Sequence, residues 1–517
     1  MQIDRQKKNI RTVGVMMALT LLGKILGLAR DMLLGQTFAT GMAADAFMAA
    51  SRIPRNFFDA IFASAISASF IPVFNEYLEK RGKDEAFRLS GAFISLMTLL
   101  TAALSALGIL FAKPLTALLA QGFDAATAEL CAHLLRILFP TVLFTGLAFS
   151  LVGVLQSLGE FNVPALLSAV SNAVIILYYI IGVDRFGVTG LAVAFLAGWG
   201  AQVLIQLPAL RRFGYRYRPT LRHEGLHKIF ALAGPVLVST WVQPLNLMVA
   251  TRFASFIPGG ASALEYANTL YTIVAGVFVL SIANVIFPEL SRFAAREDDA
   301  AMGESIAETL GAMLFLLAPM TAGLAVLARP IVRLLYEWRA WDAASTELTA
   351  GALSFLALGM LGYGVQIILS RAFYAEQKGK TPLLAGAVSV LVNLALCKLL
   401  SPSMGLRGLA LASAVSLAAP ALVLLFAAQK RYPHMLTRGA ALDFAKMLVC
   451  SALMGAAVFC TFRFLSYRLP DSLISRAVSV FAPTLLGVAV YFVLALLCRI
   501  STVSRLKELL RGRRNDF

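Results

Sequence analysis

Charge is scarce in this chain. Only 14% of its 517 residues are Asp, Glu, Lys or Arg, 59% are hydrophobic, and mean hydropathy is +0.78. That balance excludes an ordinary soluble globular domain. Cysteine is sparse too. Cys131, Cys397, Cys450, Cys460 and Cys498 are scattered through apolar stretches without a C-x-x-C pair, so they read as small core residues and supply neither a disulfide framework nor a metal site. The 4 histidines have no metal-like spacing. No nucleotide-binding glycine loop, H-E-x-x-H or G-x-S-x-G occurs. The sequence therefore offers no enzyme signal, no cofactor and no metal, and the missing P-loop argues against a primary pump.

Acidic residues are the rarer sign: 28 against 45 basic, for a formal charge of +17. In a soluble protein this would suggest nucleic acid. Here the basic excess lies in short loops beside apolar runs, with no basic domain to carry such a role.

Long apolar runs are what the chain does contain. They are continuous rather than alternating, which predicts helices and not barrel strands. About fourteen are long enough to span a bilayer, near 12–36, 43–75, 86–112, 127–157, 162–183, 187–210, 227–256, 262–292, 304–328, 346–375, 382–400, 405–429, 441–464 and 474–499. The basic start resembles a signal peptide, but its apolar stretch runs past Lys24 without a small-x-small cleavage site, so it reads as the first span. With that start inside, the inner loops hold Lys80, Arg81, Lys83 and Arg88, and later Arg211 to Lys228, Lys378, Lys380, Lys430 and Arg431. Outer loops are poorer, Arg329, Arg333, Arg339, Arg463 and Arg468 being exceptions. The bias places both termini at the cytoplasmic face, which requires an even number of spans.

An internal repeat organises the runs. GVTGLAVA (187–194) recurs as GLRGLALA (405–412), and Pro164 recurs as Pro382, both 218 residues on. Phe62, Ile66 and Pro72 recur 216 residues on as Phe278, Ile282 and Pro288. Biased composition makes short matches cheap, but two near-constant shifts across separate helices argue for duplication. Six helices per copy is an even number, so the copies are parallel repeats. The expected architecture is an all-α polytopic membrane protein. An N-terminal lobe (1–213) and a C-terminal lobe (226–430), six helices each, enclose a central cavity. Two further helices (440–500) and a basic cytoplasmic tail (501–517) follow.

Against this apolar background, charges inside the first two spans stand out, because an ionisable group in hydrocarbon is costly unless it faces a cavity or a partner. The first span carries Lys24, Arg30 and Asp31, with Gly23 and Gly27 spaced for close helix packing. In the second, Asp45, Arg52 and Asp59 recur every seven residues with Arg55 beside them, and Pro54 should interrupt the helix. Lys24, Arg30, Arg52 and Arg55 are the candidate substrate-binding cations, since guanidinium groups grip phosphate oxygens in pairs of bonds. Asp31, Asp45 and Asp59 are candidate ion-pair or gating partners. The bland reading is that these charges only pin the bundle together. Gln243 and Asn246 in the seventh span could coordinate a cation, though buried amides more often bind neighbouring helices. His133 and Arg136 could face either the chamber or its rim.

Several stretches resemble one family. GKILGLARD (23–31), GMAADAF (41–47), RIP (52–54) and SFIPVF (69–74) are similar to the opening helices of the MurJ (MviN) lipid II flippases, within the multidrug/oligosaccharidyl-lipid/polysaccharide exporter superfamily. ANVIFPELS (283–291) and LSRAFYAEQKGKTP (369–382) resemble later helices of that family. The resemblance implies a fourteen-helix transporter in the bacterial inner membrane, moving undecaprenyl-diphosphate peptidoglycan precursor outward by alternating access. It implies a lipid-linked saccharide as substrate, membrane lipid around it and cell-wall synthesis proteins as possible partners. A cationic cavity would hold the diphosphate and sugar, and a groove at the last two helices the lipid tail. Arg30, Asp31 and Asp45 match family positions, and Lys24 stands where many members have arginine. Two departures matter: Phe58 and Thr269 occupy positions where many members carry arginine. Arg55, three residues before Phe58, is the expected substitute. A flippase for another polyprenyl-linked glycan, or a non-transporting scaffold for cell-wall enzymes, are the competing readings.

Overall fold

The structure is a computed structural model that describes residues 2–433 and 435–503; the side chains of residues 2–13, 56, 57, 60, 235, 236, 238–240 and 243 are outside the described set. Every regular element among the described residues is helical. The chain forms two compact units, Met1–Ser262 and Ala263–Phe517.

The first unit contains α1 (Gln2–Phe38), α2 (Met42–Ser51), α3 (Phe58–Ala65), α4 (Ile71–Arg81), α5 (Lys83–Leu110), α6 (Ala112–Leu119) and α7 (Ala125–Leu138). It continues with α8 (Thr141–Ser157), α9 (Asn162–Ile181), α10 (Val183–Leu204), α11 (Leu207–Arg212), α12 (Gly225–Thr240) and α13 (Val242–Ala254). The unit boundary falls inside α14 (Gly260–Ala295). The second unit adds α15 (Asp299–Tyr336), α16 (Ala343–Ala357), α17 (Met360–Ala375), α18 (Lys380–Arg431), α19 (Arg438–Arg468) and α20 (Leu473–Leu497). Short polar residues start several of these helices. Asp124, Asp298, Asp342, Thr437 and Ser472 each accept a backbone N–H from the first turn of α7, α15, α16, α19 and α20, supplying an orphan donor with a partner.

Ten helices among the described residues are long and apolar enough to cross a membrane, and α16 with α17, bent by 45°, can make an eleventh. The sequence predicts about fourteen. The difference arises where chain direction or hydropathy is interrupted. Charged α1 is not among the ten, and neither α12 (16 residues) nor α13 (13 residues) is long enough alone. Conversely, α18 has 52 residues, which would be roughly 78 Å of straight helix, far beyond a bilayer core of about 30 Å. It does not run straight. At Gly405 φ is +56° and ψ −134°, the Ser389 hydroxyl donates to the Ser416 carbonyl at 2.7 Å, and a Cβ on Gly408 would meet the Leu400 carbonyl oxygen at 2.5 Å. The two halves are therefore an antiparallel hairpin.

The first unit contains the same hairpin. Gly187, 218 residues before Gly405, has φ +52° and ψ −144°, values that favour glycine. Gly198 packs on Ser171, a Cβ there lying 3.1 Å from the Ser171 carbonyl oxygen; these residues precede Ser416 and Ser389 by the same 218. The repeat thus recurs in backbone angles and in packing pairs.

Helix α1 lies on α9 with both chains running the same way, because Gly23 meets Ser168 and Gly27 meets Asn172. Helices α12 and α13 sit with the first unit, although the sequence repeat starts its second copy at 226. A Cβ on Gly225 would meet Leu89 and Tyr77, Arg52 donates to Thr251, and Arg252 donates to Gln121. In the second unit α19 and α20 pack on α15 through Phe315, Met447, Met454, Val458 and Tyr491. The Tyr491 hydroxyl donates to the Phe315 carbonyl at 2.9 Å. Cys131, Cys397 and Cys450 are buried as core residues; Cys460 and Cys498 are exposed. Residues 504–517, most of the expected tail, lie outside the described residues.

Candidate functional site

The charged side chains of the first two spans do not share one stripe. The reason is local. Around Pro54 the backbone forms a π-helical turn, Arg52–Phe57, and a second follows at Ile66–Phe70. A π turn takes an extra residue, so everything after it rotates about the axis. The turn begins at Arg52, so Asp45 and Arg52 both reach the 251–262 segment while Asp59 is carried off their face.

Asp45 caps the start of α14. Its carboxylate accepts from the Gly259 N–H at 2.8 Å, the Ser262 N–H at 2.8 Å and the Ser262 hydroxyl at 2.6 Å. Arg52 is 2% exposed and donates Nε–H to the Thr251 hydroxyl of α13 at 2.9 Å. Asp59 turns the other way, accepting from the Thr145 hydroxyl at 2.9 Å and from the Trp199 indole N–H at 3.4 Å. It also lies within electrostatic reach of Arg55.

The structure gathers Arg30, Asp31, Arg55 and Asp59 near the α10 aromatic pair. Arg30, 8% exposed, donates from Nε and Nη2 to one Asp31 oxygen at 2.9 and 2.7 Å. Its Nη1 donates to the Asn172 side-chain oxygen at 2.9 Å, and Asn172 donates onward to the Gly23 carbonyl at 3.1 Å. The guanidinium carbons of Arg30 and Arg55 each lie 5.4 Å from the Phe195 ring centroid. Phe195 in turn meets Phe47 edge-on at 5.1 Å and stacks on Trp199 at 5.8 Å. Buried charge is tolerable here because the carboxylates, the amide and the ring faces answer it.

Lys24 stands apart. It is exposed on α1 and makes no hydrogen bond or ion pair with the described residues. Asn246 is half-buried on α13; the Gln243 side chain lies outside the described residues. Phe58, at a position of many family arginines, stacks on Phe62 at 5.8 Å. Sequence reasoning missed Asn172, Thr145, Phe195 and Trp199. Their signal was modest: Phe195 and Trp199 are four apart on one helix face, with Gln202 and Gln206 continuing it.

The fold defines the class first. An inward-facing transporter of the multidrug MATE family, in the MOP superfamily, superposes with a TM-score of 0.67 at 15% identity, over 81% of this chain and 98% of that one. That likeness shows the fold, one that the chain shares with this transporter. The family model described as "Lipid II flippase MurJ" matches residues 34–478, and the chain belongs to that family. A probable lipid II flippase MurJ of Rhizobium tropici is 31% identical, over 98% of this chain and 97% of its own length. One from Bdellovibrio bacteriovorus is 30% identical over 98% of each. The solved structure of lipid II flippase MurJ in an inward closed conformation matches with a TM-score of 0.79 and 26% identity, covering 94% of this chain and 98% of that one.

Proposed function

We propose that this protein flips lipid II, the undecaprenyl-diphosphate peptidoglycan precursor, from the inner to the outer leaflet of the bacterial cytoplasmic membrane. It acts as a transporter and not an enzyme, with both termini cytoplasmic. Family membership supports the substrate. The observation that carries the site is the approach of Arg30 and Arg55 to the one Phe195 ring, with Asp31 beside Arg30. A diphosphate needs more than one cation, and guanidinium groups bind its oxygens with defined geometry.

In this reading Arg30 and Arg55 take the diphosphate, and Arg55 replaces the arginine that Phe58 does not supply. Asp31 holds Arg30 until the substrate arrives, then shares it. Exposed Lys24 adds long-range attraction. Arg52 and Asp45 serve by fixing α13 and the start of α14, the elements that must move with the site during alternating access. Asp59 keeps Arg55 and Trp199 in register.

The test is depletion of the native protein in cells that express a variant. Arg55→Ala should reach the membrane folded yet fail to sustain growth, with lipid II accumulating in the inner leaflet. Normal complementation by that variant would refute the assignment. Accumulation of a different polyprenyl-linked glycan would refute the substrate.

A further inference from the structure

One ring serves two cations from different parts of the chain. Arg30 comes from α1 and Arg55 from the π-helical turn, and each guanidinium carbon is 5.4 Å from the centroid of Phe195. By that geometry the two carbons are at most about 11 Å apart, so their charges repel, and at low local dielectric the repulsion is not negligible. Asp31 compensates Arg30 directly. The ring is well placed to hold the pair. Phe195 is 1% exposed, and Phe47 and Trp199 fix its orientation. Trp199 also donates to Asp59, which lies within reach of Arg55.

We propose that Phe195 is a positioning residue for substrate capture: its π-face keeps Arg30 and Arg55 close together before the substrate binds, so that one diphosphate meets both at once. The inference rests on the lipid II reading above. It assigns no contact between Phe195 and substrate. The benefit is preorganisation, since a pair already assembled against repulsion does not have to be assembled at the expense of binding.

A merely structural aromatic would act on stability alone. The test is therefore a double-mutant cycle on the full-length protein in detergent, reading lipid II affinity by native mass spectrometry and folding by thermal unfolding. Phe195→Leu should weaken lipid II binding by about tenfold, the scale of two cation–π contacts. Phe195→Trp should restore affinity, because it keeps a π-face. In an Arg55→Gln background, Phe195→Leu should cost distinctly less, because one of the two cations is gone. Unchanged affinity in Phe195→Leu, or an equal cost in both backgrounds, would overturn the role of the ring. Should Phe195→Leu fail to fold, Phe195→Trp decides alone: folded protein with tenfold weaker binding would count against the proposal, and retained binding for it. Arg30→Gln and Arg55→Gln that bind lipid II normally would instead overturn the site assignment, a result separable from loss in those two with a silent Phe195→Leu.

Discussion

Asp45 shows how a charged residue in a membrane span can be well satisfied without an opposite charge. Two backbone N–H groups and one hydroxyl converge on it. Asp45→Ala leaves these buried donors without a partner, a loss of about 1–3 kcal/mol, and thermal unfolding in detergent should show it as a lowered melting temperature. Asp45→Asn should recover part of that loss. Outside the spans, hydrogen bonding from Arg476 holds the Asp471 carboxyl below its ordinary value, and Arg81 does the same for Glu224. A carboxylate with a depressed folded-state pKa contributes fully above its unfolded value, about 4. The contribution disappears as pH falls through the lower folded value. Melting temperature should therefore be insensitive to these pairs from pH 8 to about 5.5 and fall below about pH 4. Arg476→Gln should flatten that acid limb. Which residues carry charge in the spans was plain from the sequence. Which partner each meets was not, because partners such as Asn172, Thr145 and Ser262 are ordinary polar residues far away in the chain.

Among the elements, the hairpins offer the sharpest comparison. Nothing lies within 4 Å of a Cβ built on Gly187 or Gly405, yet both have positive φ. Alanine at either site therefore meets backbone strain alone, about 1–3 kcal/mol, and the two costs should be similar. Gly408→Ala should cost more than Gly405→Ala, because its Cβ would collide with the Leu400 carbonyl oxygen at 2.5 Å. Paired melting curves decide both. The repeat was legible because glycines at a fixed shift mark backbone that other residues avoid. The π turn at Pro54 was legible only as an interruption. Proline announces a lost donor, but not whether the chain kinks, breaks or takes an extra residue. That ambiguity is why Asp59 leaves the stripe that Asp45 and Arg52 begin, while Arg55, expected only to flank it, reaches Phe195.

At the scale of the whole molecule, hydropathy revealed an all-helical membrane protein because long continuous apolar runs admit no other backbone solution in lipid. The runs expected near 227–256 and 346–375 fall on α12 with α13 and on α16 with α17, where the backbone breaks inside what hydropathy reads as one run. Moving a cationic site through the field of the membrane is worth about 2.3 kcal/mol per charge per 100 mV, and the proposed mechanism carries Arg30 and Arg55 with it. Collapsing the potential in cells should therefore slow lipid II export, as read by surface accessibility of the precursor. The central claim is that Arg30 and Arg55 together clasp the anionic head group of lipid II. Its most direct test is lipid II affinity of the purified protein carrying Arg30→Gln and Arg55→Gln together, set beside the unsubstituted chain. The account predicts a double variant that still folds, melting at a lower temperature because Asp31 and Asn172 lose their buried partner, and that no longer binds lipid II. Retained lipid II binding by the folded double variant would contradict it.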